Sequence, residues 1–586
     1  MRNIRLLPGF VLSLGLLALL AGLPGSNAAG PPAQPTADAA RMLNFVRHFS
    51  EDGSSQPISR YAYRVEMDAL QADLRNQMAE ALGPRGTAEL WAFPSRMPPG
   101  IWDPQAALAC GALDPLSPVH AHPTFWPAGG TIPFRSTFNN VIGRLPGTNP
   151  GAGKFVICSH FDAIGFRTPG WQAWADPAPG ADDNLSGTAA VVELARLLAS
   201  EAPLPFDLEF VCFDGEELGL WGSDTLAHAE RKANAPILGV FNMDMVGFNP
   251  VADSLVIMPN RESWYLADFV RETEALDPQP SLSLQVTIDN LVNSDHGPYW
   301  LQGYTAFMMI ENLNVVRNNP QYHRVTDRAS TLRGGVMMAK AANVYLKALR
   351  RLAERSGGPP DLRISETDLI MFVNGSPEGR VAVPGDEIRV EGGIFNAGGS
   401  TEGMPIHVSW YSIGNDGKRN YLETTTVTTP VRNGGHLRVP FVRTATAADV
   451  GALTIEMELD DGTHIDTARR AIPVKDTVGR VVSHYMAPNP VRAIESASLQ
   501  YELSREADVR ITLFDAHGTE LGRRYYEDVS GTRQTSVATN TGLNRVPLAD
   551  LFGAFNPAPG IYLYRIEVFG DDAVDEMTMG KFALLR

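Results

Sequence analysis

Phe155-Val-Ile-Cys-Ser-His160-Phe-Asp162 is the stretch that decides the fold. Phe155 to Cys158 reads as a short buried strand, and the run stops on side chains that carry lone pairs or charge. The pattern repeats downstream. Leu208–Phe213 runs into Asp214-Gly-Glu216-Glu217, Ile237–Met243 into Asp244, and Thr305–Ile310 leads on to a loop with Tyr322-His323-Arg324. Between the first two runs, Gly187–Ser200 sets Val191, Leu194 and Leu198 at helical spacing, directly after Gly180-Ala-Asp182-Asp183-Asn184. Short apolar runs alternating with amphipathic helices predict an α/β domain from Phe138 to about Arg355. In an open α/β sheet, ligands bind at the carboxyl ends of the strands. Carboxylates and imidazoles gathered there repel or neutralise one another unless a cation holds them. A mixed Asp, Glu and His set suits zinc, with related divalent ions as alternatives. Which of Asp182 and Asp183 takes part is open at this point. The sequence holds no His-Glu-x-x-His helix, no Gly-x-Ser-x-Gly elbow and no Gly-rich phosphate loop.

The set His160-x-Asp162, Gly180-Ala-Asp-Asp-Asn-Leu-Ser-Gly187, Asp214-Gly-Glu-Glu-Leu-Gly219, Asn242-Met-Asp-Met-Val-Gly247 and Tyr322-His323 resembles the di-zinc aminopeptidase family of bacterial leucyl aminopeptidases and aminopeptidase Y. The resemblance spans roughly residues 138–350. It implies a three-layer α/β/α peptidase domain with a mixed central sheet and two zinc ions per chain. His160 and Asp244 would bind one ion, Glu217 and His323 the other, and Asp183 would bridge them, by its match to the family's Asp-Asn step. Glu216 takes the general-base position, Asp162 is expected to orient His160, and Tyr322 is a candidate oxyanion donor. Asn242, Asp295 and His296 also match family positions without an assigned role. The implied substrates are peptides with a free N-terminus. A glutaminyl cyclase is the runner-up, with a carboxypeptidase of the same family behind it. Asp183-Asn-Leu-Ser-Gly187 and Glu217-Leu-Gly-Leu-Trp-Gly222 favour the peptidase. An inactive peptidase-fold binding protein, like the transferrin-receptor relatives, is the non-enzyme reading, and the filled ligand and base positions count against it.

Outward from this core, the chain of 586 residues predicts three or four domains. Arg2 and Arg5 precede an apolar run from Leu6 to Leu23 that exits through small residues, which reads as a signal peptide over 1–28. Export to the medium or the cell surface follows, with no membrane span once the signal is removed. Residues 29–137 lead into the peptidase core (138–358). In them Ala62–Leu82 carries Val65, Leu70, Leu74 and Met78 on one helical face, while 92–136 reads as irregular. His120 and His122 in that segment read as a solvated loop.

After Ser356-Gly-Gly-Pro-Pro, two β-sandwich modules are expected, over 361–475 and 476–586. Pro384-Gly-Asp and Phe395-Asn-Ala-Gly398 resemble adhesion-type Ig-like domains. Ala487-Pro-Asn-Pro490 and Pro559-Gly-Ile-Tyr-Leu-Tyr-Arg565 resemble C-terminal sorting modules of type IX secretion and their hook-cap relatives. Such a module implies surface attachment or spacing. A net charge of −17 argues against nucleic acid as a partner. Three cysteines make no disulfide framework; Cys158 and Cys212 lie in strands with their pairing open, and Cys110 is left over.

Overall fold

Two helices precede the sheet in this computed structural model. It describes residues 35–94, 135 and 137–585, apart from 250–252, 279, 281, 291, 312–318, 378–380, 415, 477, 506, 516–519, 527–538, 540–541, 554–556, 558 and 571–572. The expected signal peptide, Cys110, His120 and His122 lie outside the described residues. Helix α1 (Ala39–Ser50) starts at Asp38, whose carboxylate accepts hydrogen bonds from the amides of Ala40 and Arg41. Helix α2 (Glu66–Leu82) begins later than its apolar pattern suggests, because a turn closed by the Arg64 amide on the Tyr61 carbonyl precedes it. Its buried face is therefore Met67, Gln71, Leu74 and Met78, while Val65 is 43% exposed.

The strands are β1 (Thr87–Pro94), β2 (Thr137–Leu145), β3 (Lys154–His160), β4 (Asp207–Phe213), β5 (Ile237–Asp244), β6 (Ser254–Pro259), β7 (Ser283–Val286) and β8 (Ala306–Glu311). They form one mixed sheet in the order β1-β2-β4-β3-β5-β8-β6-β7. The centre, β4-β3-β5-β8, is parallel; β1 and β2 join antiparallel at one side, and at the other β6 runs antiparallel to β8 and parallel to β7. Strand β1 takes up residues 92–94, which open the stretch read as irregular.

Helices α3 (Leu185–Ser200), α4 (Trp221–Lys232), α5 (Trp264–Ala275), α6 (His296–Leu301) and α7 (Val336–Arg355) complete the three layers. One face of the sheet, with Phe155, Ile157, Phe210 and Phe241, packs on α1, α2, α3, α5 and α7. The other, with Val156, Cys158, Val211 and Val240, packs on α4 and α6. The parallel register sets Cys158 beside Val211 and Ser159 beside Cys212. The two thiols thus point to opposite faces, and both are free. Among the described residues no helix is long and apolar enough to cross a membrane.

Antiparallel sheets follow. The strands Leu369–Val373, Glu387–Asn396 and His436–Thr444 face a second sheet of Arg419–Val427, Ile406–Ile413, Gly451–Asp460 and Ile465–Val474. Ile388, Val390, Trp410, Phe441 and Met457 fill the space between them. Farther on, Val481–Ala487, Ser498–Leu503 and Gly542–Pro547 form one sheet; Glu520–Tyr526, Asp508–Asp515, Gly560–Gly570 and Ala573–Leu584 form another. Leu499, Tyr501, Val509 and Ile566 lie in their shared core.

Candidate metal centre

The carboxyl ends of β3, β4 and β5 deliver polar side chains to one place. His160 is the last residue of β3, Asp244 the last of β5, and Glu216 and Glu217 follow β4 in a turn that Gly215 opens at φ +71°. Asp183 stands two residues before α3, and His323 lies beyond β8 with φ +57°, a conformation that non-glycine residues seldom adopt. His160, Asp183 and Asp244 form one group whose ligand atoms all lie within 4.8 Å; Asp183, Glu217 and His323 form a second. Asp183 divides its carboxylate between them. Oδ1 is 3.2 Å from His160 Nε2, and Oδ2 is 3.0 Å from His323 Nε2. His160 Nε2 is 3.6 Å from Asp244 Oδ1, and His323 Nε2 is 3.1 Å from Glu217 Oε2. A tetrahedral zinc with bonds of about 2.0–2.1 Å holds its ligand atoms about 3.3 Å apart. The donor types and their spacing both fit that ion.

Neighbouring groups fix each of these side chains. Asn184 caps α3 through the Gly187 amide (3.0 Å) and donates to the Met243 carbonyl (2.9 Å), so it ties the Asp183 loop to the end of β5. Asp244 Oδ2 accepts from Ser294 Oγ at 2.6 Å, and Ser294 in turn accepts from Asn242 Nδ2 at 2.8 Å. This gives Asn242 an orienting role. Asp327 accepts the Asp182 amide at 3.0 Å and the Asp183 amide at 3.0 Å. Asp162 differs from expectation. Its carboxylate accepts the amides of Glu216 and Glu217 (3.0 and 3.2 Å) and lies 3.7 Å from His160 Nδ1, whereas its carbonyl oxygen is 3.1 Å from that nitrogen. The chain turns so tightly after β3 that the backbone reaches the imidazole before the carboxylate does.

Asp182 belongs to neither group. It accepts the amides of Gly247 and Phe248 and the side-chain amide of Asn319. Asp214 pairs with buried Arg135 at 2.8 Å. Asp295 and His296 are buried outside both groups, with the His296 ring edge-on to Trp300.

Burial works against a charged His160, yet Glu216, Asp244 and Asp183 hold its pKa well above the usual value. Burial likewise opposes His323, while Glu217 and Asp183 carry it to about 9. Burial raises Glu216 well above an ordinary carboxyl, helped by Glu217, Asp295 and Asp244 and opposed by His160. Asp183 moves the other way: burial is outweighed by its hydrogen bonds to His160 and His323, which keep it ionised. Tyr322 packs against His323 with ring centroids 3.7 Å apart and planes tilted by 31°, and the Arg167 guanidinium lies over the tyrosine ring at 4.3 Å. Burial, then the charges of Asp183 and Glu217, raise the Tyr322 phenol well above its usual value, so it keeps its proton.

Residues 140–347 match peptidase family M28. A "probable zinc metalloprotease" of the fungus Leptosphaeria maculans is 26% identical over 281 residues, which are 42% of this chain and 64% of the relative. Leucine aminopeptidase 1 of Ajellomyces capsulatus is 29% identical over 205 residues, 33% of this chain and 51% of the relative. The chain thus spans between half and two thirds of these two relatives. Among solved structures, a zinc aminopeptidase from Bacillus subtilis covers 54% of this chain and 95% of its own length, at 18% identity and a TM-score of 0.39. With the order of the sequence motifs and the convergence of their side chains on one zinc-suited centre, the match identifies residues 140–347 as a peptidase family M28 region.

Proposed function

We propose that the chain is an exported aminopeptidase that binds two zinc ions and releases N-terminal residues from peptides. The observation that carries this reading is the divided carboxylate of Asp183, with one oxygen facing His160 and Asp244 and the other facing Glu217 and His323. Two ions held there would polarise the scissile carbonyl and make a bound water acidic enough to attack it near neutral pH. Glu216, with Oε2 3.9 Å from His160 Nε2, is the group placed to take the water's proton and return it to the departing amine. Tyr322, with its ring centroid 3.7 Å from that of His323, would donate to the oxyanion. The surrounding carboxylates favour a substrate's protonated amino terminus over an acidic one. The relatives' names support zinc and aminopeptidase chemistry, and the basic and apolar N-terminal stretch supports export.

The test is zinc per chain on the purified protein, with release of free amino acid from aminoacyl anilides before and after chelation. Two zinc ions and chelator-sensitive release are expected. Cyclisation of N-terminal glutaminyl peptides without release of amino acid would replace this reading with the cyclase. A chain that binds no zinc would overturn both.

A further inference from the structure

Arg60 lies outside the M28-matching residues and more than a hundred positions from Phe161, yet it sits directly beneath the candidate metal centre, with 0% of its surface exposed. The backbone around it is woven into the site. Ser59 bridges Ala178 in parallel, the Arg60 amide donates to the Ala178 carbonyl (3.1 Å), and the Arg60 carbonyl accepts the Ala163 amide (3.0 Å). The guanidinium then spans two loops. Nε donates to the Phe161 carbonyl at 2.7 Å, Nη1 to the Pro179 carbonyl, and Nη2 to the Gly180 carbonyl at 2.9 Å. Phe161 follows His160, and Gly180 stands three residues before Asp183. The guanidinium also lies 5.5 Å from the centre of the Phe161 ring.

A buried guanidinium is costly, and one that spends its donors on carbonyls gains less than one paired with a carboxylate. The placement makes sense as geometry. Two side chains grip the Asp183 loop at opposite ends: Arg60 holds the carbonyls of Pro179 and Gly180, and Asp327 holds the amides of Asp182 and Asp183. Gly180 admits this approach. It has φ +47°, and a Cβ there would lie 2.2 Å from the Asp183 carbonyl oxygen and 2.7 Å from Arg60 Nη2.

We infer that Arg60 is a positioning residue that sets the separation of His160 and Asp183 by pinning the loops that carry them, and so governs how tightly the centre holds zinc. The inference rests on the two-zinc reading above. Its geometry also says which substitution is informative. Lysine keeps the charge but offers a single ammonium that cannot reach three carbonyls in the planar fork arrangement of arginine.

The experiment uses the full chain stripped of metal, with zinc affinity read by competition against a chromophoric chelator and thermal unfolding recorded without zinc. Arg60→Lys is expected to unfold, zinc-free, close to the parent temperature while binding zinc about 10–100-fold more weakly, the range seen when groups that orient ligands are removed. Arg60→Met should weaken binding at least as much. Parent-like zinc affinity in the folded variants would overturn the inference, whatever happened to their stability. Should neither variant fold, Asp327→Asn loosens the same loop from its amide end, and parent-like affinity there would overturn it equally. A parent chain that binds no zinc would instead refute the two-zinc reading itself.

Discussion

Asp183 shows how much one side chain can decide. Its oxygens face two imidazoles 3.2 and 3.0 Å away, so it belongs to both ligand groups, whereas the adjacent Asp182 turns to the amides of Gly247 and Phe248. Asp183→Ala should therefore empty both positions, and metal analysis should find zinc per chain near zero; a variant that keeps two ions would show that another carboxylate bridges. Glu216→Gln separates binding from chemistry, since Glu216 belongs to neither ligand group. Zinc content should stay at the parent value while turnover falls about 10²–10⁴-fold, the usual share of a general base. Parent-like turnover would remove Glu216 from that role. Glu216 was legible in the sequence because it follows the apolar run Leu208–Phe213 within three residues, whereas only the family's Asp-Asn step separated Asp183 from Asp182. Ser294, Asp327 and Arg60 were not legible. They act on Asp244, Asp183 and Phe161 across 50, 144 and 101 positions, and nothing in their own neighbourhoods marks them.

At the scale of elements, the strands buried on both faces were readable and those at the margins were not. Strands β3, β4 and β5 are runs of apolar residues covered by helices, whereas β1 lies at the sheet edge with most of its residues exposed or half-buried, so its pattern resembles a loop. The same central strands carry a charged network at their other end. Lys154 on β3 pairs with Glu209 on β4 and Glu230 on α4. Burial, with Glu209 adding to it and Lys154 opposing, pushes Glu230 to about 7, while Glu209 is held below the usual carboxylate range. A carboxyl raised by folding binds a proton in the folded state that the unfolded chain has released. Stability from Glu230 is therefore present below about pH 4.5 and is lost as the pH climbs through about 7. Glu209 has the opposite sign, and its contribution fades only below about pH 4.5. In Glu230→Gln the unfolding temperature should accordingly gain on the parent between pH 5 and pH 8. A difference that stays constant over that range would mean Glu230 does not titrate there.

For the molecule as a whole, the two β modules are attached by different kinds of contact. Phe395 and Ala397 of the first join the hydrophobic core of the α/β region, with the Phe395 ring 5.0 Å from Tyr265 and 5.5 Å from Phe269. His436 stacks on Tyr265 at 4.0 Å with the planes 4° apart, and Asn433 donates to the Leu352 carbonyl at the end of α7. Gly434, at φ +71°, approaches so closely that a Cβ there would lie 2.8 Å from the Phe155 ring. The second module meets the first through polar contacts: Lys475 with Asp575 at 2.7 Å, Arg480 with Asp386, and the Val381 amide donating to the Asp575 carbonyl at 2.9 Å. Burying one phenylalanine stabilises by roughly 1.5–3 kcal/mol, a large fraction of a domain's net 5–15 kcal/mol, whereas the attraction in a buried ion pair is largely offset by the cost of desolvating its charges. Ending the chain at residue 359 should therefore expose Tyr265 and Phe269, lower the unfolding temperature of the α/β region and promote aggregation. Ending it at residue 475 should leave zinc content and peptidase turnover at parent values. The comparison needs only the two truncated chains beside the full one. A stable, fully active 1–359 chain would show that the first β module is a passenger, and a 1–475 chain that loses zinc would show that the second reaches the metal centre through the first.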